Sequence, residues 1–151
     1  MEKCRVSGVK KKAGDEASNI EKSLVIIKPD GVKKKIVGEI ISRLEKENFK
    51  IEKLKMAKIS RELACRHYYE HKDKDFFDPL IDYITSGPSV IMVVSGENSI
   101  SRIRELMGPT DSRKAKKGTI RGDYGVDVTV NVIHGSDSPE SAKREIELFF
   151  K

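Results

Sequence analysis

Apolar residues recur along the chain with two periods, and these periods predict its secondary structure. Alternating positions and short apolar runs predict four β-strands, at residues 23–28, 49–59, 90–94 and 126–132. Apolar residues spaced three and four apart predict amphipathic helices, at residues 35–47, 60–70, 76–84, 100–107 and 137–150. No apolar period is found from Gly108 to Gly125, so we expect a long irregular segment there, of the kind that is usually functional or disordered.

The order of the elements indicates the fold class. Helices between successive strands favour the α/β class, arranged as an α+β sandwich. The chain divides into two βαβ-like halves, which resemble the ferredoxin-like split βαβ arrangement. We therefore expect a four-stranded antiparallel sheet with helices packed around it, covering one face, and keep a doubly wound parallel sheet as the alternative. A length of 151 residues fits one domain, which we place at 22–151 after a disordered extension at 1–21.

Composition narrows the class of protein and of partner. Hydrophobic residues make up 37% and charged residues 36%, which is typical of a soluble globular chain, and no apolar run has the length of a membrane span. A formal charge of +6 suits a polyanion, whether nucleotide, nucleic acid or anionic membrane. Cys4 and Cys65 are far apart and predict free thiols in a reducing compartment, so we expect a cytoplasmic protein.

The three histidines stand in different settings. His67 and His71 are four residues apart on a charged helix and would suit a metal only weakly, since no His-Glu-x-x-His pattern is present, so we interpret them as surface residues. His134 ends the fourth predicted strand, just before Gly135 and a helix start. A neutral imidazole is a competent nucleophile near pH 7, and a helix N-terminus stabilises nearby negative charge. The alternative is a strand-end histidine satisfied by Ser136 and Asp137.

Other residues would complete a phosphoryl-transfer site around His134. Glu145, two turns into the last helix, is placed to accept a hydrogen bond from one ring nitrogen and leave the other free. No Gly-x-x-x-x-Gly-Lys-Ser/Thr loop is present, so side chains such as Lys28, Arg104 and Arg121 would have to stabilise the phosphates. Strand alternation places Asn131 and His134 on opposite faces unless the strand twists or ends between them.

Several segments together resemble one enzyme family. The chain from about Lys22 to Lys151 is similar to nucleoside diphosphate kinases, and the most specific segment carries a histidine, an asparagine and a serine-aspartate turn at the family's spacing. The matching segments are Ile27-Lys-Pro-Asp-Gly-Val32, His67-Tyr68, Phe76-Phe77, Ser86-Gly-Pro88, Gly118-Thr-Ile-Arg-Gly-Asp123 and Asn131-Val-Ile-His-Gly-Ser-Asp-Ser138.

The resemblance implies a reaction and a set of roles. His134 would take the γ-phosphoryl of a nucleoside triphosphate and give it to a nucleoside diphosphate, in a ping-pong reaction through phosphohistidine. Mg²⁺ would be held mainly by the nucleotide phosphates, with no metal site made by the protein alone. The matching catalytic residues are Lys28, Tyr68, Ser136 and Glu145. The matching nucleotide-binding residues are Lys28, Phe76, Leu80, Arg104, Thr110, Arg121, Val128 and Asn131.

The resemblance also implies partners. We expect nucleoside di- and triphosphates as substrates and a homo-oligomer, with a hexamer favoured. A tetramer stays open, because the chain stops at Lys151 without the C-terminal tail of many relatives and has Ser112 and Lys117 where many carry prolines. A basic nucleic-acid-binding or scaffolding role is the alternative function, as a secondary role.

Overall fold

The computed structural model describes residues 20–151. Residues 1–19, and with them nearly all of the predicted disordered extension, lie outside the described residues. Ile20 and Glu21 belong to the first strand, which therefore begins three residues before its predicted start. The four strands are β1 (Ile20–Ile27), β2 (Lys50–Lys58), β3 (Pro88–Glu97) and β4 (Ile133–Gly135).

Helices fill the intervals between the strands. The predicted helices are all present, with ends that differ by a few residues. Two short helices and two 3₁₀ turns, at Tyr69–His71 and Ser112–Lys114, add to them within the described chain. The helices are α1 (Pro29–Lys33), α2 (Val37–Lys46), α3 (Arg61–His67), α4 (Phe77–Ile84), α5 (Ser99–Met107), α6 (Ile120–Tyr124) and α7 (Pro139–Phe150).

The strands form one sheet in the order β2-β3-β1-β4, and every neighbouring pair is antiparallel. This confirms the four-stranded antiparallel sheet and excludes the parallel alternative. The expectation that helices cover one face is wrong, because successive residues of β1 point into two separate cores. Val25 and Ile27 pack beneath α2, α5 and α6, whereas Leu24 and Ile26 pack beneath α3, α4 and α7. Alternation along a strand buried on both faces explains the continuous apolar run in β1.

The fourth strand is much shorter than the alternating valines predict. Val126 and Val128 are 53% and 52% exposed, and β4 begins only at Ile133. The carboxylate of Asp127 accepts hydrogen bonds from the backbone N–H groups of Thr129 and Val130, and the N–H of Val126 donates to the carbonyl of Val130 at 2.7 Å. The segment is therefore a closed turn, because its donors are satisfied locally instead of by a neighbouring strand.

Two short helices were not predicted. Pro29-Asp30-Gly31 opens α1 with proline at its first position, where the missing N–H costs nothing. The segment at 108–125, predicted as irregular, contains α6, whose N-cap Thr119 accepts a hydrogen bond from the N–H of Gly122. Among residues 20–151, no helix has both the length and the apolar character needed to cross a membrane.

Candidate active site

One cavity of about 410 Å³ opens where β4, α5 and α7 meet the segment between α3 and α4. Its wall includes eleven of the twelve residues that the sequence nominated; Ser136 lies behind it. The eleven are Lys28, Tyr68, Phe76, Leu80, Arg104, Thr110, Arg121, Val128, Asn131, His134 and Glu145. These residues are separated by up to 117 positions in sequence, so the fold alone brings them to one place.

The His134 ring is held in its orientation by Glu145 and Ser136. Its Nε2 lies 3.1 Å from Oε1 of Glu145, and the same oxygen accepts a hydrogen bond of 2.7 Å from the Ser136 hydroxyl. Burial raises the pKa of Glu145, but the hydrogen bonds from His134 and Ser136 outweigh burial and keep this pKa below its usual value. A carboxylate facing Nε2 favours the tautomer with the proton on that nitrogen, so the lone pair is on Nδ1.

Ser136 connects this arrangement to the sheet. Its backbone N–H donates to the carbonyl of Leu24 at 3.1 Å, and its hydroxyl oxygen accepts from the N–H of Leu24 at 3.0 Å. The hydroxyl that holds Glu145 is thus fixed to the central strand β1. His134 lies two residues before Ser136 and pairs with the same strand, opposite Ile26, so its backbone is held in place as well.

His67 is a site residue that the sequence interpretation missed. It was predicted to lie on the surface, but it is 4% exposed, and its ring centre lies 4.8 Å from that of His134 in an edge-to-face arrangement. Burial, followed by the proximity of His134, holds its pKa well below the usual value, so the ring is neutral. Neither ring nitrogen has a hydrogen-bond partner among the described residues. His71 lies nearer the mouth, 5.3 Å from the Phe76 ring, so the two histidines do not form a pair.

The cations of the cavity are partly or wholly withdrawn from water. Burial, followed by the nearby charge of Arg121, lowers the pKa of Lys28 to about 7, and its Nζ donates to Oδ1 of Asn131 at 2.8 Å. Burial, followed by Arg104, lowers the pKa of Arg121 to about 10. Arg104 is more exposed and donates to the carbonyl of Gly135 at 3.2 Å. Three basic groups therefore converge beside His134, and the carboxylates of Asp30 and Asp137 are close enough to interact with Lys28 and Arg104 respectively.

Arg121 also stabilises the fold through hydrogen bonds to the backbone. Its Nε, Nη1 and Nη2 donate to the backbone carbonyls of Asn131, Gly108 and Ile133, at 3.2, 3.1 and 2.6 Å. A guanidinium has five N–H donors, so about two remain for a ligand. The same side chain thus ties the long segment to β4 and presents charge to the cavity.

The Tyr68 hydroxyl is buried and has no hydrogen-bond partner among the described residues. Burial, followed by the charge of Glu145, raises its pKa, so the hydroxyl keeps its proton. A buried donor without an acceptor is costly, and an anionic ligand in the cavity would supply that acceptor.

Asn131 and His134 reach the same cavity because the chain turns sharply between them. Val132 has φ +71°, a conformation that is strained for a β-branched residue. Its N–H donates to the carboxylate of Asp30 at 3.1 Å, and its carbonyl accepts from the N–H of Lys28 at 2.7 Å. Regular alternation, which would place Asn131 on the opposite face, thus ends at Val132. The Asn131 amide nitrogen donates to the carbonyls of Thr110 and Val128.

Apolar side chains line the outer part of the cavity. Phe76 is 47% exposed and Val128 52% exposed, while Leu80 is half-buried. Exposed aromatic and aliphatic groups at a cavity mouth offer two flat faces for a planar ring. The cationic inner end and the apolar outer end match the two parts of a nucleotide.

Gly135 lies where β4 packs against α5. A Cβ on Gly135 would lie 2.6 Å from Sδ of Met107 and 3.3 Å from Cγ2 of Ile103, in the core. The glycine allows β4 to pack closely against α5.

The cavity wall includes further residues that the sequence did not nominate as site residues. Gly135 and Asp137 had a local signal, since both follow the histidine within the most specific segment. A hydrogen bond from Ser141 lowers the pKa of Asp137, and Arg104 lowers it further, so it is a carboxylate facing the cationic end. The others are His67, Glu70, His71, Thr129, Ser141 and Arg144.

Comparisons with known proteins agree on one family. A family model described as "Nucleoside diphosphate kinase" matches residues 21–151. A protein of that name from Pelotomaculum thermopropionicum is 60% identical over 131 residues, covering 87% of this chain and 88% of the relative. One from Thermococcus kodakarensis is 58% identical over 135 residues, covering 87% of this chain and 78% of the relative.

Solved structures agree with the sequence relatives. The nucleoside diphosphate kinase of Aquifex aeolicus is 44% identical with a TM-score of 0.84, covering 87% of this chain and 96% of that one. A halophilic nucleoside diphosphate kinase from Halobacterium salinarum, in complex with CDP, is 48% identical with a TM-score of 0.85, covering 87% and 88%. None of these relatives supports the nucleic-acid-binding alternative. The chain belongs to the nucleoside diphosphate kinase family of phosphotransferases, which transfer the γ-phosphoryl of a nucleoside triphosphate to a nucleoside diphosphate.

Proposed function

We propose that this transfer passes through His134, phosphorylated on Nδ1, in a ping-pong cycle. The observation that carries the proposal is the 3.1 Å contact between Nε2 and Glu145, since it holds the proton on Nε2 and keeps the Nδ1 lone pair available. Nδ1 attacks the γ-phosphorus, the bond to the bridging oxygen breaks, and the nucleoside diphosphate leaves with that electron pair. The acceptor diphosphate reverses the step.

Glu145 and Ser136 orient His134 and do not touch the phosphate. As the ring gains a phosphoryl group it becomes more positive at Nε2–H, and the carboxylate stabilises that charge. The Ser136 hydroxyl holds the same carboxylate oxygen in place at 2.7 Å. The ring is therefore already oriented before the reaction, and these side chains need to reorganise little during it.

Lys28, Arg104 and Arg121 stabilise the phosphate charge that a glycine-rich loop stabilises in other nucleotide enzymes. An arriving triphosphate restores full protonation of Lys28, because the anion favours the charged form. Tyr68 donates its unpartnered hydroxyl proton, and Thr110 lies exposed on the same wall. Electrostatic stabilisation of this kind is the main catalytic term in phosphoryl transfer.

The nucleoside end lies against apolar side chains. The base stacks on Phe76, with Leu80 and Val128 completing the slot, and Asn131 takes part in binding near the sugar and phosphates. Apolar contact discriminates poorly between bases, which predicts broad nucleotide use. The halobacterial relative was solved with CDP, a nucleoside diphosphate.

Magnesium fits this cavity as a partner of the nucleotide. Asp137 lies near Arg104 in the wall of the cavity, so it would help to hold an ion that the phosphates mainly bind. Bound Mg²⁺ neutralises part of the phosphate charge. The cavity offers no cage of several free carboxylates within residues 20–151, which supports Mg²⁺ arriving with the nucleotide.

We also propose a cytoplasmic homo-oligomer, with a hexamer favoured over a tetramer. The edge strand β2 supports association, since Leu54 and Met56 are 51% and 57% exposed on it and an uncovered edge pairs readily. Cys65 is a free thiol, which suits a reducing compartment.

Steady-state kinetics test the proposed cycle. With a nucleoside triphosphate and a different diphosphate varied together, a ping-pong enzyme gives parallel double-reciprocal lines. His134→Ala should lower kcat by at least roughly 10⁴-fold, since the covalent step is lost. Intersecting lines, or an active His134→Ala protein, would refute the covalent intermediate.

A further inference from the structure

His67, His134 and Glu145 bring three potential metal ligands together inside the protein. One ring nitrogen of each histidine and one carboxylate oxygen of Glu145 lie within 4.8 Å of one another. Nε2 of His134 is 3.1 Å from Oε1 of Glu145, and Nδ1 of His67 is 4.0 Å from Oε2. The phosphoryl-transfer cycle uses the second and third residues but gives no role to His67.

His67 is the independent sign of a ligand. It is 4% exposed, and both of its nitrogens lack a hydrogen-bond partner in the part of the chain that the structure describes. A neutral imidazole always has one nitrogen with a free lone pair, and burying it without a partner is unfavourable. Tyr68 and Phe149 pack against the ring at centroid distances of 4.4 and 5.2 Å, which fixes it towards Glu145.

The geometry points to an inhibitory binding site for a borderline divalent cation, Zn²⁺ above all, held by Nδ1 of His67, Nε2 of His134 and the carboxylate of Glu145. Zn²⁺ bonds of about 2.0–2.2 Å in a tetrahedral site place neighbouring ligand atoms roughly 3.3 Å apart. The 3.1 Å contact with Oε1 already has this spacing, and the 4.0 Å contact with Oε2 exceeds it by about 0.7 Å. No two of the three ligand atoms are more than 4.8 Å apart, so combined side-chain shifts of about 1.5 Å or less would bring them to this spacing.

The ligand types select against the cation of the phosphoryl-transfer reaction. Two imidazoles and one carboxylate suit Zn²⁺ and neighbouring transition metals, whereas Mg²⁺ prefers oxygen ligands and water. Two cations lie near these ligands: Lys28, whose charge helps to lower the pKa of His67, and Arg144, whose Nη2 is 3.8 Å from Oε2 of Glu145. The Arg144 side chain is 45% exposed, so it can move into water when a metal ion binds.

Metal binding at Nε2 would block the nucleophile through the histidine tautomer. A neutral imidazole carries one proton, and a metal that takes the lone pair of Nε2 leaves that proton on Nδ1. Nδ1 then has no lone pair with which to attack phosphorus. This consequence rests on the proposed function of His134, whereas the binding of the metal does not.

The test measures binding without nucleotide. Zn²⁺ is titrated calorimetrically into the full chain in excess Mg²⁺, in parallel with His67→Asn and His71→Asn; the second changes the neighbouring histidine that is not a proposed ligand. We expect His67→Asn to weaken the tightest site at least tenfold and His71→Asn to change it less than twofold. Equal affinity in wild type and His67→Asn would overturn the proposal.

Two further measurements test the metal site without relying on the His67→Asn variant. Wild-type crystals soaked in Zn²⁺ should show an anomalous peak between His67, His134 and Glu145; peaks only elsewhere would overturn the site. Glu145→Gln should also weaken binding at least tenfold.

Zn²⁺ bound at the site should abolish phosphorylation by ATP. Binding without inhibition would exclude the tautomer block, and inactivity before any Zn²⁺ is added would instead indict the proposed function.

Discussion

At the scale of single residues, the proposed mechanism depends on the carboxylate of Glu145, which we expect to orient the nucleophile. Glu145 contacts His134 at 3.1 Å and Ser136 at 2.7 Å, with one oxygen serving both. Glu145→Gln should lower kcat/KM about 10- to 100-fold, because a hydrogen bond involving a charged group contributes about 1.5–3 kcal/mol. The matched change Glu147→Gln, at an exposed position of the same helix, should leave the rate unchanged. Equal rates for both variants would show that Glu145 does not orient the nucleophile.

Lys28 should make stability depend on pH. Its pKa is about 7 in the folded protein and 10.5 as a reference, so between these values the unfolded chain binds more protons. The free energy of unfolding therefore rises with pH across this window, by at most about 1.4 kcal/mol per pH unit. Well below pH 7 Lys28 is protonated in both the folded and the unfolded chain, so it adds no pH dependence there. The stability of wild type relative to Lys28→Met should increase by about 1–2 kcal/mol from pH 7 to 9.

Urea unfolding at the two pH values, in buffers free of phosphate, measures that difference. Lys33→Met, at an exposed position of α1, is the control and should track wild type at both values. A Lys28→Met profile parallel to wild type would mean that Lys28 is not titrating in this range.

At the scale of elements, β4 is held close to α5 by the absence of a side chain. Gly135→Ala would bring its Cβ to 2.6 Å from Met107 and should destabilise the protein by about 1–2 kcal/mol. Gly38→Ala, with nothing within 4 Å in helix α2, should instead stabilise it by about 0.5–1 kcal/mol. Thermal unfolding of both variants gives the two signs. A neutral Gly135→Ala would show that Met107 yields without cost.

The elements also show what periodicity can and cannot predict. The apolar run of β1 and the helical spacing in α2, α5 and α7 report burial directly, so these elements were predicted within a few residues. The valines of 126–132 alternate for another reason, since Asp127 closes a turn and Val126 and Val128 point outward. Burial depends on tertiary contacts, so an alternating apolar pattern alone does not show whether its residues face the core or the solvent.

At the scale of the whole molecule, the edge strand β2 should be a contact between chains. Leu54→Glu combined with Met56→Glu should dissociate the oligomer, because both apolar side chains lie exposed on the edge. Ile20→Glu, at an exposed position on β1, is the control. Sedimentation should give a smaller particle for the β2 variant alone; an unchanged mass would place the interface elsewhere.

The assembled cavity shows how far sequence reasoning reaches. The positions of His134, Glu145 and the three basic residues at element ends made them candidates, and the resemblance supplied the apolar slot, Tyr68 and Ser136. His67 was missed because its helix is rich in charged residues, while its burial comes from α7 and β4, far away in sequence. Contacts that depend on chain segments so distant leave no local pattern.

Transfer of radiolabel from the γ-position of ATP to the protein tests the central claim most directly. Wild type should become labelled on a bond that is stable in base and labile in acid, and a nucleoside diphosphate should discharge the label into a new triphosphate. His134→Ala should not label, whereas His71→Ala should. A His134→Ala protein that labels as well as wild type would contradict the account.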